Sequence, residues 1–176
     1  MVCARALGAQ RPLPLSAPGV DAGWAAAPYD GTARRLIAAL KFGRRLTLAC
    51  VAADAIAAVA PRGTLAGHAL VPVPPDPWRA RLRGFDPATL IAGNLARRLG
   101  LPLSHCLSRR HSPRQVGRAR AERIGSPPAI RTRGEVPSSC VLVDDVTTTG
   151  ATLAACAGSL RAAGAEEILA LAFARA

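Results

Sequence analysis

Apolar positions along the chain fall into alternating blocks with helical and strand-like periods. Over residues 32–42, TARRLIAALKF, Leu36, Ile37 and Leu40 share one helical face while Arg34, Arg35 and Lys41 lie off it. This spacing predicts a helix that Asp30 or Thr32 can cap. Residues 46–60, LTLACVAADAIAAVA, predict a second helix ended by Pro61, and residues 87–99, PATLIAGNLARRL, a third. Asp86 suits the N-cap of that third helix, Pro87 its first turn and Gly100 its close. Residues 151–163 place Leu153, Ala157 and Leu160 on one helical face ahead of Gly164. Between the helices lie apolar runs of strand length: 69–73 (ALVPV), 140–144 (CVLVD) and 168–173 (ILALAF). Such strands are apolar throughout rather than alternating. Interleaved with helices, they predict an α/β domain with a central, mostly parallel sheet covered on both faces.

Three stretches lack this patterning. Residues 1–28 mix Pro, Gly and Ala without a period and predict an irregular arm. Pro75 to Phe85 reads as a loop, with Arg79, Arg81 and Arg83 ahead of Gly84. Residues 109–133 carry Arg109, Arg110, Arg114, Arg118, Arg120, Arg123, Arg131 and Arg133 against only Glu122, a long basic loop of the kind that serves function or stays unstructured.

Length and composition narrow the class. At 176 residues the chain suits one domain, and 50% hydrophobic against 19% charged residues excludes a disordered polymer. No run reaches the ~18 apolar residues of a membrane span, and Pro12, Pro14 and Pro18 interrupt any signal-peptide core, so a cytoplasmic protein without membrane insertion is expected. The net charge of +12 favours encounter with anions. An Arg-rich codon bias would produce the same excess, since every basic residue except Lys41 is Arg. Aromatics make up 3% of the chain, too few for a broad stacking platform for single strands. The five cysteines, Cys3, Cys50, Cys106, Cys140 and Cys156, contain no C-x-x-C pair, so neither a zinc cluster nor a disulfide framework is expected. Cys50, Cys140 and Cys156 lie in apolar segments and are expected to be buried. Trp24, Trp78, Phe85 and Phe173 are dispersed and are expected to serve packing.

The segment VLVDDVTTTGATLAACAGSLRAAG, residues 141–164, carries the chemistry. Asp144 and Asp145 end a buried strand, where ligands of open α/β sheets bind. A Thr- and Gly-rich turn and a helix start follow, offering free N–H groups, hydroxyls from Thr148, Thr149 and Thr152, and close backbone approach at Gly150. The carboxylates suit sugar hydroxyls or a Mg²⁺ held through water, and with phosphate on the turn the local chemistry describes a phosphorylated sugar. An ordinary capped turn would use the same Asp and Thr residues, but two adjacent carboxylates at the end of an apolar strand are costly unless used.

VLVDDVTTTGAT resembles the phosphoribosyl-pyrophosphate (PRPP) motif of type I phosphoribosyltransferases. YDGTARRLIAALKFGRR, ALVPVPP, RLRGFDPATLIA and RRHSPRQVGRARAERI, in that order with the PRPP motif, resemble the competence protein F (ComF) family over about residues 29–175. The resemblance implies a type I phosphoribosyltransferase-like domain over 29–176, with 1–28 as a degenerate or lost zinc module in which only Cys3 remains. It implies that Asp144 and Asp145 hold the ribose hydroxyls in the catalytic centre. Thr148, Thr149, Gly150, Ala151 and Thr152 would wrap the 5′-phosphate. Pro74, Pro75 and Asp76 match the pyrophosphate loop, Arg81, Arg83 and Gly84 the R-x-R-G-F region, and Gln115, Arg120 and Arg123 the mobile lid. The implied cofactor is Mg²⁺ with PRPP and no zinc.

Two functions stay open at this level. One is phosphoribosyl transfer to an unspecified nucleophile with release of pyrophosphate. The other is a non-catalytic accessory role in single-stranded DNA uptake during natural competence, beside a helicase-like partner. The expected ligand is PRPP or another phosphorylated sugar, with a homodimer as an open oligomeric expectation. The sequence departs from the family at Asp86-Pro87, where Asn-Gln is common, and at Thr147, where an aliphatic residue is usual. It also lacks an Asn near Gly125 and Ser126.

Overall fold

The computed structural model of the chain describes residues 11–61, 63–109 and 128–176. In chain order the elements are β1 (Leu13–Pro14), β2 (Ala22–Pro28), α1 (Gly31–Lys41), α2 (Leu48–Val59), β3 (Ala69–Pro72), α3 (Pro77–Arg83) and α4 (Pro87–Leu99). They continue with β4 (Leu107–Arg109), β5 (Ile130–Thr132), β6 (Ser139–Thr147), α5 (Ala151–Ala162) and β7 (Glu167–Arg175).

Five strands form one sheet in the order β1-β2-β7-β6-β3. β2, β7, β6 and β3 run parallel to their neighbours, and only the two-residue β1 is antiparallel. Side-chain alternation along the central strands divides the core. Val141, Val143, Leu169, Leu171 and Phe173 face α1, α2 and α4. Cys140, Leu142, Ile168 and Ala170 face α5 with β4 and Leu15. Burying a Leu or Ile there contributes about 1.5–3 kcal/mol each, which explains the uninterrupted apolar runs. The mostly parallel sheet with helices on both faces is the architecture expected from the sequence.

The helices at 31–41, 48–59, 87–99 and 151–162 fall within one or two residues of expectation, but three segments differ. Residues 22–28 are not irregular: β2 pairs with β7 from Ala22↔Leu169 to Pro28↔Arg175, so the sheet extends into the segment expected to be an arm. The segment is hard to recognise because it is built of small residues. Gly23 sits so close to Leu15 and Ala170 that an added Cβ would lie 2.9 Å from the Leu15 carbonyl oxygen. Asp21 anchors the strand's start, accepting two hydrogen bonds from Arg161 at 2.6 Å and one from the Ile168 amide at 2.7 Å. Residues 77–83 are not a loop but the helix α3, which buries no side chain and so leaves no apolar stripe. Its ends hold it instead. Asp76 accepts from the amides of Trp78 (3.0 Å) and Arg79 (3.2 Å), Pro77 opens the first turn and Gly84 closes the last at φ 78°. Thirdly, the stretch expected to be a loop holds β5 and the last residue of β4, and these two strands pair antiparallel on either side of residues 110–127.

Thr32 does not cap α1; Asp30 occupies the N-cap position without a side-chain hydrogen bond. Asp86 caps α4 as expected, accepting from the Thr89 amide (3.0 Å) and hydroxyl (2.6 Å). Cys140 and Cys156 are buried, but Cys50 is exposed, its thiol 3.1 Å from Asn94 Oδ1. Among the described residues no helix is long and apolar enough to cross a membrane.

Candidate substrate site

The site lies at the carboxyl edge of the sheet, where β6 delivers Asp144 and Asp145. Alternation sends the two carboxylates in opposite directions. Asp145 follows Val141 and Val143 toward the α1 face, where the ammonium of Lys41, the last residue of α1, makes an ion-pair contact with Oδ2. The ammonium compensates the charge of this buried oxygen. Asp144 turns toward the α5 face and takes a hydrogen bond from the Asp145 amide at 2.8 Å. Loss of solvation raises the Asp144 pKa well above the ordinary carboxylate value, and the neighbouring Asp145 charge adds to the rise. On the other side, burial with the Asp144 charge nearby pushes the Cys156 thiol far up, so Cys156 is an inert packing residue. Cys140, buried and near Cys106, is pushed up to about 11.

β6 leads directly into the turn Thr148–Gly150 and the start of α5. Thr148, Thr149 and Ala151 are exposed, Thr152 is half-buried, and Gly150 is buried. Gly150 has φ 74°, and a Cβ on it would lie 3.2 Å from both the Ala17 methyl and the Ser16 carbonyl oxygen. Glycine there lets the turn fold back against residues 16–17. The Thr149 hydroxyl accepts from the Ala151 amide at 3.4 Å.

β3 enters from the neighbouring position. It pairs with β6 up to Pro72↔Val143, and the Val73 amide donates to the Val143 carbonyl at 2.9 Å. Buried Pro74 and half-buried Pro75 and Asp76 therefore leave the sheet beside the two carboxylates. Asp76 also lies 3.9 Å from the guanidinium of Arg109 at the end of β4. The remaining expected residues are more scattered. Arg81 is exposed on α3, and Arg83 lies over the Phe42 ring at 5.3 Å from its centroid. Gly84 serves as the C-cap of α3. Gln115, Arg120 and Arg123 lie outside the described residues.

Two residues join the site without having been singled out. Lys41 was legible only as the single lysine among 23 basic residues. Asp86, the cap of α4, has its pKa raised by burial, with the Asp145 charge as a further cause, so it senses the same field. Among the described residues no three His, Cys, Asp or Glu side chains gather as a metal-holding group. The pair Asp144–Asp145, with one cation at Asp145, does fit a ligand that brings hydroxyls or a cation of its own.

A model of the phosphoribosyl transferase domain matches residues 87–176, from α4 through the carboxylates and the turn to the end of β7. The chain belongs to this family. Its fold is that of the type I phosphoribosyltransferases, and the family indicates a phosphoribosyl-type substrate. No curated protein matches the chain.

Proposed function

We propose that this phosphoribosyltransferase-family protein binds PRPP, as its Mg²⁺ complex, across Asp144–Thr152 and transfers the phosphoribosyl group with release of pyrophosphate. The observation that carries this reading is the succession along β6 and α5: two adjacent carboxylates at the end of a buried strand, then a glycine-turned loop opening on a helix start. The 5′-phosphate accepts hydrogen bonds from the first amides of α5 and from the Thr148, Thr149 and Thr152 hydroxyls. The ribose hydroxyls donate to Asp144 and Asp145. Pyrophosphate extends toward the turn Pro74–Asp76, where Arg109 lies 3.9 Å from Asp76. As the nucleophile bonds to the anomeric carbon, the bond to pyrophosphate breaks and its electron pair leaves with that group. Positive charge develops on the ribose beside the two carboxylates, so positioning and electrostatics supply most of the rate.

We assign the chain within this family to the ComF group, on the LKF, VPVP and RGF segments that surround the site. A second reading, an accessory protein for single-stranded DNA uptake, draws on the net charge of +12. DNA binding of that kind would fall steeply with salt.

Calorimetric titration with Mg²⁺–PRPP, beside a variant carrying Asp144→Asn and Asp145→Asn, tests the primary reading. Saturable binding lost in the variant is expected. A folded parent protein that takes up no PRPP would refute it and leave the accessory role.

A further inference from the structure

Among the described residues, four large hydrophobic side chains are exposed: Phe42, Leu46, Trp78 and Leu82. They come from only two segments, residues 41–47 (KFGRRLT) and α3. Phe42, Trp78 and Leu82 border one cleft between the end of α1 and α3, and Leu46 follows Arg44, another residue of that border, in the same turn. Phe42 is 75% and Leu82 71% exposed, so these side chains project outward. Exposed hydrophobics scattered singly need no explanation, whereas a cluster of them marks an interaction surface. Folding does not require this one, since α3 buries no side chain.

The same two segments carry Lys41, Arg44, Arg45, Arg79, Arg81 and Arg83 and no Asp or Glu. Lys41 is paired with Asp145, and Arg83 lies over the Phe42 ring. Among the described residues, no carboxylate pairs with any of the five arginines. The face is therefore apolar at its centre and cationic around it.

These features select an occupant. A second copy of the chain would bring a net charge of +12 to a cationic surface, which opposes self-association here. Single-stranded nucleic acid would answer the charge and could stack on Trp78 and Phe42, but Leu46 and Leu82 offer no ring face and would stay in water. A peptide laid in the cleft would leave out Leu46, which is not part of its wall. A broad surface with an apolar interior and an anionic skin answers all four hydrophobic side chains and the arginines together.

We propose that this face docks on an anionic phospholipid bilayer. Phe42, Leu46, Trp78 and Leu82 enter the boundary between headgroups and acyl chains, and the surrounding arginines meet lipid phosphates. Their apolar stems lie along the same boundary while the guanidinium groups stay in the polar layer. The protein rests on the membrane without crossing it, and no described helix is long and apolar enough to cross. Because α3 starts at Asp76, beside the carboxylates, docking holds the sugar site at the bilayer surface. The inference stands apart from the PRPP reading and does not need it.

The test sediments the full chain with vesicles of phosphatidylcholine alone and with vesicles of equal parts phosphatidylglycerol and phosphatidylcholine. Trp78→Ala/Leu82→Ala removes apolar anchors and Arg45→Glu/Arg79→Glu inverts charge. Unfolding midpoints close to the parent's show that both variants fold. The parent should bind the anionic vesicles at least about tenfold more tightly than the neutral ones, and each double variant should lose about tenfold or more of that affinity. Brominated acyl chains should quench the parent's fluorescence and leave the single variant Trp78→Ala unquenched, since Trp24 lies within the sheet. Absence of binding to anionic vesicles would overturn the proposal. Binding that is neither quenched by brominated chains nor weakened by Trp78→Ala/Leu82→Ala would also overturn it, as mere adhesion of a basic protein to an acidic surface. So would oligothymidylate binding more tightly than the vesicles and losing that affinity in Trp78→Ala/Leu82→Ala, since nucleic acid would then be the occupant.

Discussion

Two helices start at the same edge of the sheet, α5 after β6 and α3 after β3, and opposite forces hold them. α5 buries Leu153, Cys156, Ala157 and Leu160 and is clamped at its start by Gly150 folding against residues 16–17. α3 buries nothing and persists through Asp76, Pro77 and Gly84 at its ends. The packed helix presents fixed amides beside fixed carboxylates, which suits the invariant part of a substrate, the phosphoribosyl group. The capped helix presents Trp78, Arg79 and Leu82 on a surface that core packing does not constrain. The difference follows from which helix is anchored in the core.

The largest effect should come from the anchored side. Replacing both Asp144 and Asp145 by Asn should weaken PRPP binding by about 100-fold or more, as two hydrogen bonds to charged groups are worth ~1.5–3 kcal/mol each. Calorimetry checks this, and unchanged affinity would move the sugar away from β6. Gly150→Ala should cost about 1–3 kcal/mol in denaturant unfolding and weaken phosphate binding as well, because an L-residue at φ 74° is strained and its methyl group meets Ala17. On the capped side, Asp76→Ala should cost ~0.5–2 kcal/mol. That loss should appear as faster amide exchange confined to 77–83 while the global unfolding midpoint barely moves; a large global shift would show that α3 is coupled to the core after all.

A further contrast is read as a slope with pH. Asp144 has its pKa raised in the folded chain, so the native state retains a proton that the unfolded chain releases near 3.8. Its contribution to stability is therefore present at acid pH and is lost as pH rises from that value through the raised one. Asp144→Asn should be more stable than the parent at neutral pH and show a flatter profile in urea melts taken across that window. Smallest of all, Trp78→Ala should change global stability by no more than about 0.5 kcal/mol, since the side chain is largely exposed.

What was legible in the sequence is what rests on local patterning. The apolar faces of α1, α4 and α5, the cap at Asp86 and the DDVTTTGAT turn are each written within a dozen residues. Burial demands an apolar stripe, and a tight turn demands particular residues. The amino-acid sequence by itself therefore determined an α/β domain with a parallel sheet and a carboxylate pair followed by a Thr–Gly turn at the end of one strand. Tertiary structure alone decided the rest. β2 is a strand because β7 offers it an edge and Gly23 admits the close approach of Leu15, neither of which is encoded in a local period. Trp78 and Phe42 carry the composition of core residues, yet the fold leaves them at the surface around one cleft. Lys41 lies about a hundred residues from Asp145 in the chain, and only the packing of α1 across the sheet brings its charge to the carboxylate. Local propensity is a short-range property, whereas a binding site is a meeting of distant segments. Its position is set by the sheet order and by which helix lies over which strand.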